Sequence, residues 1–301
     1  MKDQASITAL MSAFGRAYHA EHESHPVFRD DLAKALLSKE EYEAMQGYLL
    51  GGLSFFAPDR SFSGQDEALR WLVNTQIAPT PLCRAAYCEQ ALKTAVRTGS
   101  VQYVVLGAGL DTFAFRNPEF TAKYRIFEVD HPLTQSDKKE RIRRAGWKFP
   151  DNLCFVPVDF IRDSLSERLL AAGFDPKKKT FFSWLGVSYY LDIDAIRSLL
   201  KELRALCAMG STLLFDYADA GLFLTEEKRV QNMIAMAKAG GEEMRSGFDY
   251  LSIDTLLADH GFLVYEILEP ADIQRQIIDP AVPDMKAFEH IHYIQAVFRG
   301  I

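Results

Sequence analysis

Hydrophobic and polar positions divide the chain into two regimes. Up to about residue 98, apolar residues recur at helical spacing and no segment alternates as a strand does. Ile7, Leu10, Met11, Phe14, Ala17 and Tyr18 describe one face of an amphipathic helix. Asp30 or Asp31 is expected to start a helix through Leu37, and Pro26 interrupts the pattern before it. Ser38 followed by Glu41 is a capping-box pattern opening a helix that Gly51-Gly52 ends. Pro79 and Pro81 precede a helix predicted near 81–97, with Gly99 as its stop.

From Ser100 onward the period changes. Short apolar, β-branched or aromatic runs alternate with helical stretches, the pattern of a doubly wound parallel α/β sheet. The runs are 101–106, 124–129, 153–158, 180–185 and 211–215, with two later ones at 262–268 and 291–298. Asp192 or Asp194 caps a helix with Ile196, Leu199, Leu200, Leu203 and Leu206 turned inward, and Ser252 is read as a further cap. Residues 219–248 break the rhythm as a predicted helix, Leu224 to Ala239, and a Gly240-Gly241 turn. Insertions on the ligand edge of such sheets often build the substrate pocket. A long connection carrying Pro270, Pro280 and Pro283 joins the last two strands. The expected organisation is one domain: a helical cap over 1–98, and a core over 99–301 with the 219–248 insertion.

Composition excludes several classes. The chain has 301 residues and a formal net charge of -7, against the basic face of a nucleic-acid binder. No apolar run reaches the roughly 18 residues of a membrane span, and MKDQASITAL lacks a signal-peptide pattern. The four cysteines form no CxxC pair, which suits reduced thiols in a cytoplasmic protein. His19, His22 and His25 stand three apart. Helical zinc sites more often use i, i+4 pairs, so a polar helix end is expected and no metal.

The chemistry concentrates after the first strand, at VVLGAGLDTFAFR. A buried strand ending in Gly107-x-Gly109 makes a shelf on which a nucleotide-like ligand meets no Cβ. Asp130 ends the next strand about 20 residues later, where a carboxylate suits a ribose diol. Asp159-Phe160 follows the third strand. An acid beside an aromatic suits an adenine, and suits equally a helix cap with a core phenylalanine. The third glycine of a dinucleotide fingerprint would fall at Thr112, which favours a single adenosyl group. Arg84 could hold a carboxylate near the shelf or be a surface arginine.

These residues carry a resemblance. VVLGAGLDTFAFR, FEVDHP, VPVDF, FFSWLGVSYYL, GEEMRSGF and the N-terminal RAYH and VFRDDLA resemble the leucine carboxyl methyltransferase-like family, in particular its bacterial branch related to polyketide O-methyltransferases. The resemblance implies a class I methyltransferase fold, Rossmann-like, with a seven-stranded sheet whose last strand is antiparallel and an N-terminal helical cap. It implies S-adenosylmethionine as methyl donor. By the same resemblance Arg84 would hold the methionine carboxylate, Gly107 and Gly109 the shelf, Asp130 the ribose and Asp159 with Phe160 the adenine. Many relatives carry an acid after the fourth strand, where this chain has Leu185. That departure counts against protein carboxyl methylation.

The expected activity is O-methylation of a hydroxyl or carboxyl of a small molecule of secondary metabolism. The alternatives are a protein or peptide carboxyl methyltransferase, and a catalytically idle adenosyl-binding protein. Candidate bases toward the acceptor are His19, His22, Tyr189 and Tyr190.

Overall fold

A computed structural model describes residues 6–160, 162–278, 282 and 285–300. Seven strands form one sheet: β1 (Gln102–Leu106), β2 (Arg125–Asp130), β3 (Leu153–Pro157), β4 (Thr180–Trp184), β5 (Thr212–Ala218), β6 (Phe262–Leu268) and β7 (Ile291–Phe298), in the order β3-β2-β1-β4-β5-β7-β6. The first five are parallel, and β7 runs antiparallel to both its neighbours. The order reverses between β1 and β4, so the crevice that binds ligands in such sheets opens at the carboxyl end of β1.

Burial follows the pleat. Tyr103 and Val105 face one apolar cluster with Phe181 and Leu214, while Val104 and Leu106 face a second with Phe127, Phe182, Trp184 and Phe215. Both faces of β1 are therefore dry, which is why its sequence is a continuous apolar run rather than an alternating one. The helices before β1 pack on the first cluster.

Several local expectations change. The segment after Asp31 forms only a 3₁₀ turn, Ala33–Leu36, with Asp30 Oδ1 accepting from the Ala33 N–H at 3.1 Å. The helix of the insertion begins later than Leu224 and spans Lys228–Ala239. Asp249, not Ser252, caps Tyr250–Asp259. The proline-marked connection contains a helix, Pro270–Ile277, opened by a capping box of Glu269 and Asp272. The box at Ser38 and Glu41 is formed, and Glu41 also takes both prongs of Arg141 at 2.7 Å. Among the described residues, no helix is long and apolar enough to cross a membrane.

A buried polar network fastens the helical region to the strand-end loop. Thr112, fully buried, donates its hydroxyl to Asp30 Oδ2 at 2.8 Å and accepts from Arg116 Nε at 2.8 Å. Arg16 donates to the same Asp30 and, at 2.7 Å, to the Leu110 carbonyl. Thr112 thus does more than exclude a third glycine: it docks the cap onto the shelf.

Candidate functional site

A cavity of about 1230 Å³ lies over the carboxyl ends of β1, β2 and β4. Arg84, Gly107, Gly109, Asp130, Asp159, Phe160, Leu185, Tyr189 and Tyr190 all line it. Residues separated by more than a hundred positions are gathered there because the carboxyl ends of the parallel strands β1–β4 and the first turns of the Pro79–Arg97 helix meet at this edge.

The floor is backbone. Gly107 has φ +72°, and a Cβ there would stand 2.5 Å from Val187 Cγ2, so only glycine fits. The Asp130 carboxylate accepts the Gly109 N–H (2.5 Å) through Oδ2 and the His131 N–H (2.6 Å) through Oδ1, which locks its orientation at the end of β2. Asp159 and Phe160 follow β3 on the same side, with Asp159 Oδ2 3.7 Å from Arg162 Nε and Phe160 packed on the far-face cluster. The roof is the Ile7–His22 helix: Ala9 lies against Gly109, and Ser6 and Thr8 donate their hydroxyls to Glu242 at the end of the insertion.

Behind the floor stands a carboxylate that motif reading missed. Asp216, on β5 and fully buried, accepts from the Gly186 N–H at 2.6 Å and from Arg84 Nη1 at 3.2 Å. Arg84 Nη1 also donates to Tyr189 Oη (3.1 Å), which in turn donates to Asp216 (3.4 Å). Gly186, at φ +71°, leaves the space the guanidinium fills; a Cβ there would overlap it. Burial opposes the charge on Arg84, but Tyr189 and Asp216 outweigh it and hold its pKa above the usual value. The signal available in the sequence was positional: Asp216 belongs to a strand end, as Asp130 and Asp159 do. Its carboxylate stands at the turn of Leu185 and Gly186.

Part of the cavity wall is apolar. Met11, Met45, Met233, Met236 and Met244 line it with Ile77, Phe288 and Ile291. Arg229 ties three of its segments together, donating to the carbonyls of Thr75 (2.7 Å) and Ala287 (3.0 Å) from the Lys228–Ala239 helix.

The candidate bases fare differently. His19 is fully buried and outside the cavity wall; its Nε2 accepts the Val27 N–H at 3.0 Å, and burial lowers its pKa. It cannot reach an acceptor in this cavity. His22 stacks on Tyr18 with ring centroids 3.9 Å apart, also away from the wall. Tyr189 and Tyr190 do line the cavity, edge to face at 4.7 Å. Burial, and then Asp216 for Tyr189 and Glu242 for Tyr190, raise both phenols above the ordinary value. Both stay protonated near neutral pH, which makes them hydrogen-bond donors rather than bases. Among the described residues, no group of three His, Cys, Asp or Glu side chains is placed to hold a metal ion.

Known proteins resemble this chain in sequence and in fold. The family model described as leucine carboxyl methyltransferase matches residues 9–204. A Bacillus subtilis protein named "Putative S-adenosyl-L-methionine-dependent methyltransferase YktD" is 42% identical over 301 residues, 98% of this chain and 99% of that one. Two crystal structures share the fold. A DUF574 family protein of Streptomyces avermitilis has a TM-score of 0.58 at 13% identity, over 95% of this chain and 97% of that one. A Thermobifida fusca protein titled "a putative methyltransferase" has 0.55 at 14%, over 99% and 96%. The chain belongs to the leucine carboxyl methyltransferase family, and it is an S-adenosylmethionine-dependent methyltransferase.

Proposed function

We propose that the enzyme methylates an oxygen, hydroxyl or carboxyl, of a small and largely apolar molecule. The observation that carries this reading is the two-part cavity. Its volume, about 1230 Å³, exceeds the roughly 300–1,000 Å³ of a site for one drug-sized ligand. Its wall combines the polar shelf with apolar side chains, and the volume leaves room for the cofactor and a second small molecule.

The shelf suits the cofactor residue by residue. The glycine floor allows close approach, and Asp130 is preset by two backbone N–H groups to receive a ribose diol. Asp159 and Phe160, which line the same cavity, would flank the adenine. Arg84, aligned by Asp216 and Tyr189, would hold the methionyl carboxylate. When bound, S-adenosylmethionine supplies a methyl carbon activated by a sulfonium, and its transfer is an in-line displacement in which alignment is the main task. The chain would contribute that alignment by fixing one end of the cofactor on strand ends and the other on Arg84 of the Pro79–Arg97 helix. The Ile7–His22 helix covers the shelf and keeps water from the reacting groups.

Incubation with methyl-labelled S-adenosylmethionine and a panel of phenols, alcohols, carboxylic acids and leucine-ended peptides tests the reading. Label should appear in ethers or esters of small apolar acceptors. Transfer confined to peptide carboxyl groups, or no transfer to any oxygen, would contradict it.

A further inference from the structure

Two helices that wall the apolar part of the cavity also wall a second space. Lys39–Gly51 gives Ala44, Met45 and Tyr48 to the cavity, and Lys228–Ala239 gives Met233, Met236 and Ala239. Between the same two helices and the short Leu53–Phe56 helix lies a groove of about 550 Å³. Gly47, Gly51, Phe55 and Ala235 line the groove and not the cavity. Tyr48, Met236 and Ala239 line both, so the two spaces abut at these three residues.

The groove is apolar and open to solvent. Among the described residues that line it, none is charged. Tyr48 is 59% exposed and Phe55 44%, and both belong to this one surface. Contiguous exposed apolar surface of this kind marks a binding groove, whereas scattered single residues do not. Gly47 stands inside the Lys39–Gly51 helix, where glycine is less favourable than alanine. A Cβ at Gly47 would meet nothing within 4 Å outside the helix, and its φ is not positive. Neither packing nor backbone calls for glycine there; what the missing side chain keeps open is the groove. At the outer rim, Lys228 Nζ lies 5.6 Å from the Phe55 ring centroid, so a charge bounds the apolar stretch.

We propose that this groove holds a hydrocarbon tail of the methyl acceptor, whose reacting oxygen stays in the cavity. The shared residues carry the assignment, because they join the groove to the apolar part of the cavity and not to the glycine shelf. Met236 is the one that can yield to a passing tail, since an unbranched thioether chain changes rotamer at little cost. A polar or charged extension would lose its hydration against a wall with no charged partner. The acceptor class is therefore an amphiphile, an oxygen-bearing head on a hydrocarbon tail. This rests on the methyl-transfer reading above and extends it from a compact acceptor to an elongated one.

The test is calorimetry on the full chain saturated with S-adenosylhomocysteine, with 4-methyl-, 4-butyl-, 4-hexyl- and 4-octylphenol and the matching 4-alkylbenzoates as probes, all below their aggregation concentrations. In the series that binds, each added methylene should tighten binding about two- to fourfold, and the gain should level off once the groove is filled. Gly47→Leu and Ala235→Leu fill the groove from opposite helices with a good helix former. Each should cut the preference for octyl over methyl about tenfold or more, while affinities for the methyl probe and for S-adenosylhomocysteine stay within about twofold. No binding of any probe, no gain with tail length, a gain surviving both substitutions, or an equal loss for the methyl probe would overturn the proposal. So would a wild-type dimer that Gly47→Leu converts to a monomer in sedimentation, which would assign the groove to a second copy of the chain. Failure of the wild-type chain to bind S-adenosylhomocysteine is a separate readout and would overturn the methyl-transfer reading itself.

Discussion

The two ends of the cavity are made of different material. The shelf is built from strand ends, with glycine backbone and Asp130 pinned by two N–H groups, and is completed by a helical arginine set by a buried carboxylate. The apolar part is built from side chains on helices, loops and a strand end, five of them methionines. Rigid polar elements suit a ligand that is always the same. Thioethers on unbranched chains adapt to irregular shapes and suit an acceptor that differs between relatives of one fold. On this account, changes at the shelf act on cofactor binding, and changes at the other end act on the acceptor.

The largest break in that contrast is expected at Asp130. Hydrogen bonds to a charged group contribute about 1.5–3 kcal/mol each, so Asp130→Ala should weaken S-adenosylmethionine about 100-fold or more, read by calorimetry. Asp216→Asn keeps the shape but removes the charge behind Arg84. Its cofactor affinity should fall about tenfold, with no change in preference among acceptors. On the apolar side, Met236→Ala should raise KM for an apolar acceptor by about tenfold while the cofactor Kd stays unchanged. A cofactor defect of equal size there would dissolve the division.

The smallest expected effect separates His19 from the site. Burial lowers its pKa from the ordinary 6.5. The folded state then resists protonation, so the stability involved is whole above about pH 6.5 and is lost as pH falls toward the lowered folded value. Urea midpoints of the wild type should drop more between pH 7.5 and 5.5 than those of His19→Gln. Turnover of the variant at pH 7.5 should persist; its collapse with cofactor affinity intact would restore His19 as a base.

The contrast also explains what could be read from the amino-acid order. The sheet and the shelf were legible because strand burial and glycine turns are local: 101–106 is apolar throughout, and Gly107 follows at once. Asp130 was legible through its spacing. Asp216 was not, because its importance depends on β5 standing beside β4, a pairing 30 residues apart that brings its carboxylate to the Gly186 N–H. Thr112 was read only as a missing glycine, since its partner Asp30 lies 82 positions away. His19 looked available because helical spacing shows only that a face exists, not that Val27 folds back to cover it. The acceptor end was least legible of all. Methionines spread from Met11 to Met244 carry no common motif.

The most direct test is a crystal structure with S-adenosylhomocysteine bound. The account predicts the ribose on Asp130, the adenine between Asp159 and Phe160, the carboxylate on Arg84, and the sulfur facing the chamber of Thr80 and Met233. A sulfur turned away from that chamber, or a cofactor seated off the Gly107–Gly109 floor, would contradict it.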